Sequence, residues 1–288
     1  VLGPLAGLLL LSRPVTLWER LTFVAAAAWA GVWFTETGGL GHQLERSATA
    51  LLVGAFLALT LWRPLPLFTR AAGAVAATTA ALGLWAVVWR LSPSAIAEAV
   101  VRERWAEHRL EAAQVNELVS IGLLSPERGR DLVEQMAWQV ESSLPVLPAL
   151  WALAALLGLA VAWAVYHRIA REPWSPAPGR LADFRFSDQL VWLVVLGIGV
   201  LLVPGAPVLD LVGRNLLVLA GALYAVRGVA VFLTAASGTP RPIVATVGVA
   251  SLLLFPFTAG GLTLLGLVDT WLDFRRRLAS SPTGGMDR

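Results

Sequence analysis

From Leu216 to Leu233 the chain is apolar around a single charge, Arg227, and runs of this kind recur along its length. A helix needs about 20 apolar residues to cross a hydrocarbon core ~30 Å thick. Inside that core every backbone polar group must find a partner within the protein, which restricts a spanning chain to helices or a closed barrel. Runs this long select helices. Candidate spans are residues 21–34, 47–62, 71–89, 146–166, 189–203 and 211–234, with a last run over 243–272. Trp18, Trp33, Trp62, Trp89, Trp192 and Trp271 fall near span ends, where aromatic belts form. The expectation is an all-α, polytopic transmembrane helical bundle.

Composition agrees. The chain is 57% hydrophobic and 14% charged, whereas soluble domains carry about 25% charged residues. All basic residues are arginine and the formal net charge is only +3. With no basic stripe interleaved with aromatics, a nucleic-acid partner is not expected. The absence of cysteine excludes disulfides and thiolate chemistry. The opening VLGPLAGLLLLSR is too short to span and has no basic stretch before its apolar core, so it is not read as a signal peptide. A further segment is expected before Val1.

The last run is too long for one straight pass, at roughly 45 Å of helix. Its middle, Phe255-Pro256-Phe257-Thr258-Ala259-Gly260-Gly261, carries a proline and a glycine pair, which together signal a break. Two short passes or a re-entrant hairpin are expected. Two crossings also place Arg275, Arg276 and Arg277 on the same side as Arg13, Arg20, Arg63, Arg70, Arg168, Arg171, Arg180, Arg185 and Arg241. By the positive-inside rule that side is the cytoplasm. The expectation is about eight crossings of a bacterial inner membrane, with a cytoplasmic C-terminus.

This topology leaves residues 91–144 outside as a helical insertion with five arginines and nine acids. Its first helix is expected over 95–119. The second begins at Ser125-Pro126, an N-cap followed by a first-turn proline. It presents Leu132, Val133, Met136 and Val140 on one face and ends at Leu144-Pro145. The expected organisation is an N-terminal membrane bundle (1–166, including the insertion), a Pro- and Arg-rich cytoplasmic connector (167–186), a C-terminal membrane bundle (187–277) and a flexible tail (278–288). Small residues at four-residue spacing (Ala27 and Gly31, Gly73 and Ala77, Ala154, Gly158 and Ala162, Gly221 and Ala225) are a helix-packing signal.

Catalytic chemistry has little to work with. His42, His108 and His167 lie in loops, in the insertion or at a span end, without a second ligand at metal-binding spacing. They read as solvated or interfacial. No nucleophile elbow or phosphate-cradling loop occurs, so no enzyme activity, metal or cofactor is expected. The polar residues of the C-terminal bundle are the candidate site: Asn215, Tyr224, Arg227 and Asp269. Tyr224 and Arg227 share a helix face, whereas Asn215 lies about 120° from Arg227. Arg227 can snorkel to the headgroups, pair with Asp269 as a structural brace, or meet a ligand. Intramembrane charges are functional candidates by default.

The residues Phe184-Arg185-Phe186-Ser187-Asp188, Asn215-Leu216-Leu217, Leu223-Tyr224, Arg227-Gly228 and Leu265-Gly266-Leu267-Val268-Asp269-Thr270-Trp271-Leu272-Asp273-Phe274-Arg275 resemble the YybS-like family of bacterial multispan membrane proteins. The likeness is clear over residues 144–277, and the closing motif is its most specific part. That family usually carries glutamine at the position of Arg227, so the resemblance implies a requirement for polarity there rather than charge. It also implies a distant similarity to the substrate-binding components of energy-coupling-factor transporters. The function expected first is therefore a small-solute binding or transport component. Its partners would be the lipid bilayer, a small-molecule ligand and a separate ATPase for any ATP-driven work. The alternative is a membrane scaffold that docks a partner membrane protein through residues 95–143.

Overall fold

The structure is a computed structural model that describes residues 1–35 and 38–275. Among these residues all regular structure is helical, and the chain divides into two compact units. The N-terminal unit comprises residues 1–147 and 154–178, and the C-terminal unit comprises residues 148–153 with everything from Gly179.

In the N-terminal unit, α1 (Leu2–Leu11), α2 (Leu17–Thr35), α3 (Leu40–Trp62) and α4 (Leu67–Val88) follow in turn. Next come α5 (Pro93–Ser120) and α6 (Pro126–Ser143), then most of α7 (Leu147–Ile169). The short α1 is a core element. Its Leu5, Leu8 and Leu9, one helical stripe, are buried with Leu52 and Phe56 of α3, Ala71 and Ala74 of α4, and Leu159, Trp163 and Tyr166 of α7. The caps are as local chemistry dictates. The hydroxyls of Ser92 and Ser125 accept from the N–H of Ala95 (3.1 Å) and Arg128 (3.4 Å), each ahead of a first-turn proline. Proline has no N–H to lose at that position.

The insertion folds as the α5–α6 hairpin, closed by Gly122 at φ +76°. On α6 the inner face is Gly129, Val133, Met136 and Val140. A Cβ on Gly129 would meet Val119 of α5 at 2.5 Å, so glycine permits the close approach. Leu132, expected on that face, is exposed instead. The expected end at Leu144-Pro145 also differs: α6 passes through one 3-10 turn, Leu144–Val146, straight into α7. Residues 126–169 thus form a nearly continuous 44-residue helical stretch. Glu103 of α5 caps α3, its carboxylate accepting from the N–H groups of Gly41 and His42 at 2.9 Å each.

The C-terminal unit holds α8 (Val191–Leu201), α9 (Pro207–Ala235), α10 (Arg241–Leu253) and α11 (Phe255–Leu272). The last run is broken, with a 110° bend between α10 and α11. The break lies at Leu254 and not at the glycine pair. Pro256 lies in the first turn of α11, and Gly260 and Gly261 sit inside it. Proline is tolerated in a first helical turn but would break a helix running on from α10. Among the described residues four helical stretches are long and apolar enough to cross a membrane: α3, α4, the α6–α7 rod and α9. The bent α10–α11 pair makes a fifth if it counts as one span. That is fewer than the eight expected, because α8 is only 11 residues long, α2 carries Glu19 and Arg20 in its first turn, and the bent last run counts at most once.

Candidate ligand site in the C-terminal unit

The geometry of this site starts from two glycines. A Cβ on Gly228 of α9 would run into the Leu262 carbonyl of α11, and one on Gly266 of α11 into the Tyr224 carbonyl of α9. The two helices therefore cross backbone to backbone, as small residues allow in lipid. One turn from this crossing, Arg227 and Asp269 meet. Asp269 is fully buried and Arg227 is 4% exposed. Arg227 Nε donates to Asp269 Oδ2 at 3.0 Å, and its Nη2 donates to the Asp269 carbonyl at 3.3 Å. Arg227 does not reach out to the headgroups; it points into the protein.

Two further groups complete the cluster. Arg275, just past α11, donates from Nη2 to the same Asp269 Oδ2 at 3.0 Å. Its Nη1 donates to the carbonyls of Phe184 (2.8 Å) and Ala182 (3.3 Å). Asp188, ahead of α8, accepts from Arg227 Nη1 at 2.8 Å. Its side chain is 64% exposed. The guanidinium of Arg227 lies 5.4 Å from the Phe186 ring centroid, a cation–π distance. Phe186 also packs edge-on against Tyr224 at 5.2 Å. The stretch 182–188 is thus strapped over the helix crossing, and Arg185 adds a partly exposed ion pair with Asp273 at 3.1 Å.

Not every buried polar atom here is satisfied. Tyr224 Oη, Thr270 Oγ1, Asp269 Oδ1 and Arg275 Nε have no partner in hydrogen-bond geometry. The Tyr224 and Thr270 hydroxyls are close neighbours without meeting that geometry. Buried polar groups are normally paired, since an orphan costs its desolvation, so their concentration around one ion cluster marks the place.

The family model for predicted membrane proteins termed DUF2232 matches residues 6–270. The chain belongs to this family. No curated protein and no solved structure matches it.

In this DUF2232 protein the structure gathers three of the four residues singled out in the sequence: Tyr224, Arg227 and Asp269. Asn215 is elsewhere on α9. Its Oδ1 accepts from the Ala149 N–H (2.8 Å), and its Nδ2 donates to the Leu211 carbonyl (2.8 Å). It satisfies an N–H in the first turn of α7, beside Pro148. Asp188, Phe186, Thr270 and Arg275 join the site without having been singled out; the signal for them was the pair of motifs Phe-Arg-Phe-Ser-Asp and Asp-Thr-Trp.

The N-terminal unit has polar clusters of its own. Arg70, counted among loop arginines, is buried at 4% exposure. It donates to the Leu65 carbonyl (2.6 Å) and Thr60 Oγ1 (3.2 Å) and lies 4.6 Å from the Trp163 ring centroid. Glu19 forms a capping box with Thr16: Thr16 Oγ1 accepts from the Glu19 N–H, and Glu19 Oε2 accepts from the N–H groups of Thr16 and Val15. Its Oε1 accepts from the Arg171 N–H at 2.7 Å. These bonds, that from Arg171 first, hold the Glu19 carboxyl down to about 2, since they stabilise the anion. The histidines are not uniformly solvated. His108 is buried beside Trp105, with ring centroids 5.4 Å apart. Both His167 ring nitrogens lie within 2.9 Å of backbone carbonyls, of Trp163 and Ser175. An apolar cleft of about 430 Å³ opens between α3 and α4, lined by Ala50, Leu51, Gly54, Ala77, Thr78 and Ala81.

Proposed function

We propose that this chain is a small-solute binding component of a bacterial inner membrane, non-catalytic, with its site at Tyr224, Arg227 and Asp269. The observation that supports this reading is the set of four unpartnered buried polar atoms around an ion cluster at the α9–α11 crossing. Polar groups kept at such cost inside a membrane bundle are functional candidates. The likeness to YybS-like proteins, and through them to substrate-binding components of energy-coupling-factor transporters, points the same way by analogy. Without a nucleotide-binding motif of its own, ATP-driven transport would draw on a separate ATPase. Asn215 serves helix packing in this reading.

The test is native mass spectrometry of the gently solubilised protein from its own host. A small molecule retained by the native chain and lost from Tyr224→Phe supports the site. A chain that retains none, alone or with its partners, counts against it.

A second reading, a membrane scaffold, draws on the α5–α6 hairpin. Leu110, Leu118, Ile121, Leu123 and Trp138 are exposed there, and exposed apolar patches mark interaction surfaces. In that case the Arg227–Asp269 pair is an internal brace. The same spectra would then carry a partner membrane protein that disappears when residues 95–143 are deleted.

A further inference from the structure

We infer that the α9–α11 cluster is a binding site for a small anionic group of carboxylate or phosphate chemistry, and that Asp188 occupies it as an internal ligand. The inference rests on the site reading above and names its ligand class.

The first observation is a charge count. Two buried guanidiniums, those of Arg227 and Arg275, share one oxygen of one buried acid, Asp269. The helix crossing and its end therefore carry one positive charge in excess. The compensating acid comes from outside the crossing helices. Asp188 sits on the strap 182–188, with most of its side chain exposed, and touches Arg227 through a single nitrogen.

The second observation is where the remaining guanidinium donors point. Arg227 Nη1 is directed at Asp188 Oδ1, and Arg275 Nη1 at the carbonyls of Phe184 and Ala182. Each donor not spent on Asp269 in these bonds ends on an oxygen of the strap 182–188. Guanidinium forks are matched to carboxylate and phosphate oxygens, and the strap supplies oxygens in their place.

The third observation is the set of unpartnered atoms. Arg275 Nε is buried without a partner, and the neighbouring Tyr224 and Thr270 hydroxyls have none beyond each other; all three groups can donate, as an anion requires. Asp269 Oδ1 is an unpartnered acceptor, so an anion bearing a neighbouring hydroxyl or ammonium would complete the set. The strap occupies one terminal nitrogen of each guanidinium but leaves Arg275 Nε and the other atoms unsatisfied, as a stand-in smaller than the true ligand would. Its own attachments are backbone carbonyls, one aromatic ring and two ion pairs, one between the partly exposed Arg185 and Asp273 and one joining exposed Asp188 to buried Arg227. An incoming anion can replace them without breaking the helix crossing.

The two sources of such an anion are a soluble solute and a lipid headgroup. The experiment places the full chain in nanodiscs of neutral lipid at constant ionic strength and measures binding of inorganic phosphate. A parallel series adds phosphatidylglycerol and counts retained lipids by native mass spectrometry. Asp188→Ala removes the internal competitor at an exposed position, with folding checked by circular dichroism. It is expected to tighten binding by about tenfold, the factor by which an occupied site lowers apparent affinity when the competent state is a tenth of the population. Thr270→Val added to Asp188→Ala is expected to abolish that gain. A gain with phosphate identifies a soluble anion; a gain confined to phosphatidylglycerol identifies a headgroup. No gain with either probe, or a gain that survives Thr270→Val, overturns the assignment. If the native chain nevertheless carries a neutral or cationic small molecule that Tyr224→Phe loses, the anion assignment fails while the site reading stands.

Discussion

Gly228→Ala is the sharpest probe of the helix crossing. The new methyl would lie 2.7 Å from the Leu262 carbonyl carbon and 3.0 Å from its Cα, and closer still to its oxygen. All three are backbone atoms, so no rotamer change relieves the clash. Restoring ordinary contact needs α9 and α11 to part by about 0.7 Å or more. The same movement stretches the 3.0 Å bond between Arg227 Nε and Asp269 Oδ2 beyond useful geometry. Overpacking costs about 1–3 kcal/mol, and weakening a charge-assisted hydrogen bond adds up to about 1.5–3 kcal/mol. The control is Gly221→Ala on the same helix, where a Cβ meets nothing within 4 Å. Both variants gain the same helix propensity, about 1 kcal/mol, so it cancels. Reversible unfolding in mixed micelles, followed by circular dichroism, should place Gly228→Ala about 2–5 kcal/mol below Gly221→Ala. Stabilities within about 0.5 kcal/mol of each other would refute the close crossing.

The two acids of the cluster should differ sharply in the same assay. Asp269→Asn removes the buried anion that Arg227 and Arg275 share and should cost about 3–5 kcal/mol, whereas Asp188→Asn, at an exposed carboxylate, should cost under about 1 kcal/mol; equal losses would contradict the burial. Glu19 gives a pH signature. Its carboxyl is depressed to about 2 from an ordinary value of 4.5, so its stabilisation is complete above 4.5 and is lost as pH falls toward 2. Glu19→Gln should flatten the acid limb of the stability curve over that interval, and an unchanged limb would show that the carboxylate is not held there. Glu103→Gln removes the charge that caps α3, so the Gly41 and His42 amides should exchange faster by an amount equivalent to about 1 kcal/mol; unaltered protection would mean the hairpin is fixed by other contacts.

Much of the helical architecture was legible because its determinants are local. Apolar runs mark the span helices, and Ser-Pro pairs mark where α5 and α6 begin. The pairing of Arg227 with Asp269 was one of three options open in the sequence, since the two residues belong to separate runs whose crossing no local rule fixes. The same applies to Gly228 and Gly266. Small residues recur so often in this chain that their spacing does not distinguish Gly228, pressed against a backbone, from Gly221, which faces open space. In the sequence, arginines near span ends served only as markers of the cytoplasmic side, and solvation is the ordinary fate of loop arginines. Arg70 and Arg275 escape it because carbonyls and Trp163 or Asp269 receive them inside the protein. Glu19 was legible in principle, since Thr16-Leu17-Trp18-Glu19 carries the capping-box pattern, but its bond to Arg171 is long-range and had no local sign.

The position of the cluster along the chain gives the ion pairs an order in time. A ribosome makes Asp188 39 residues before Arg227, and Asp269 42 residues after it. When α9 first meets the bilayer, the acid that will bury Arg227 is still held by the ribosome, while the one that can shield it provisionally has already emerged. Asp188 would then act as an escort for a charged helix during insertion, handing Arg227 over in part when α11 arrives. Chains cut after residue 240 and tethered to the ribosome through a linker long enough to clear the exit tunnel report on this directly: if α9 inserts equally well with Asp188 and with Asp188→Asn, the charge needs no escort.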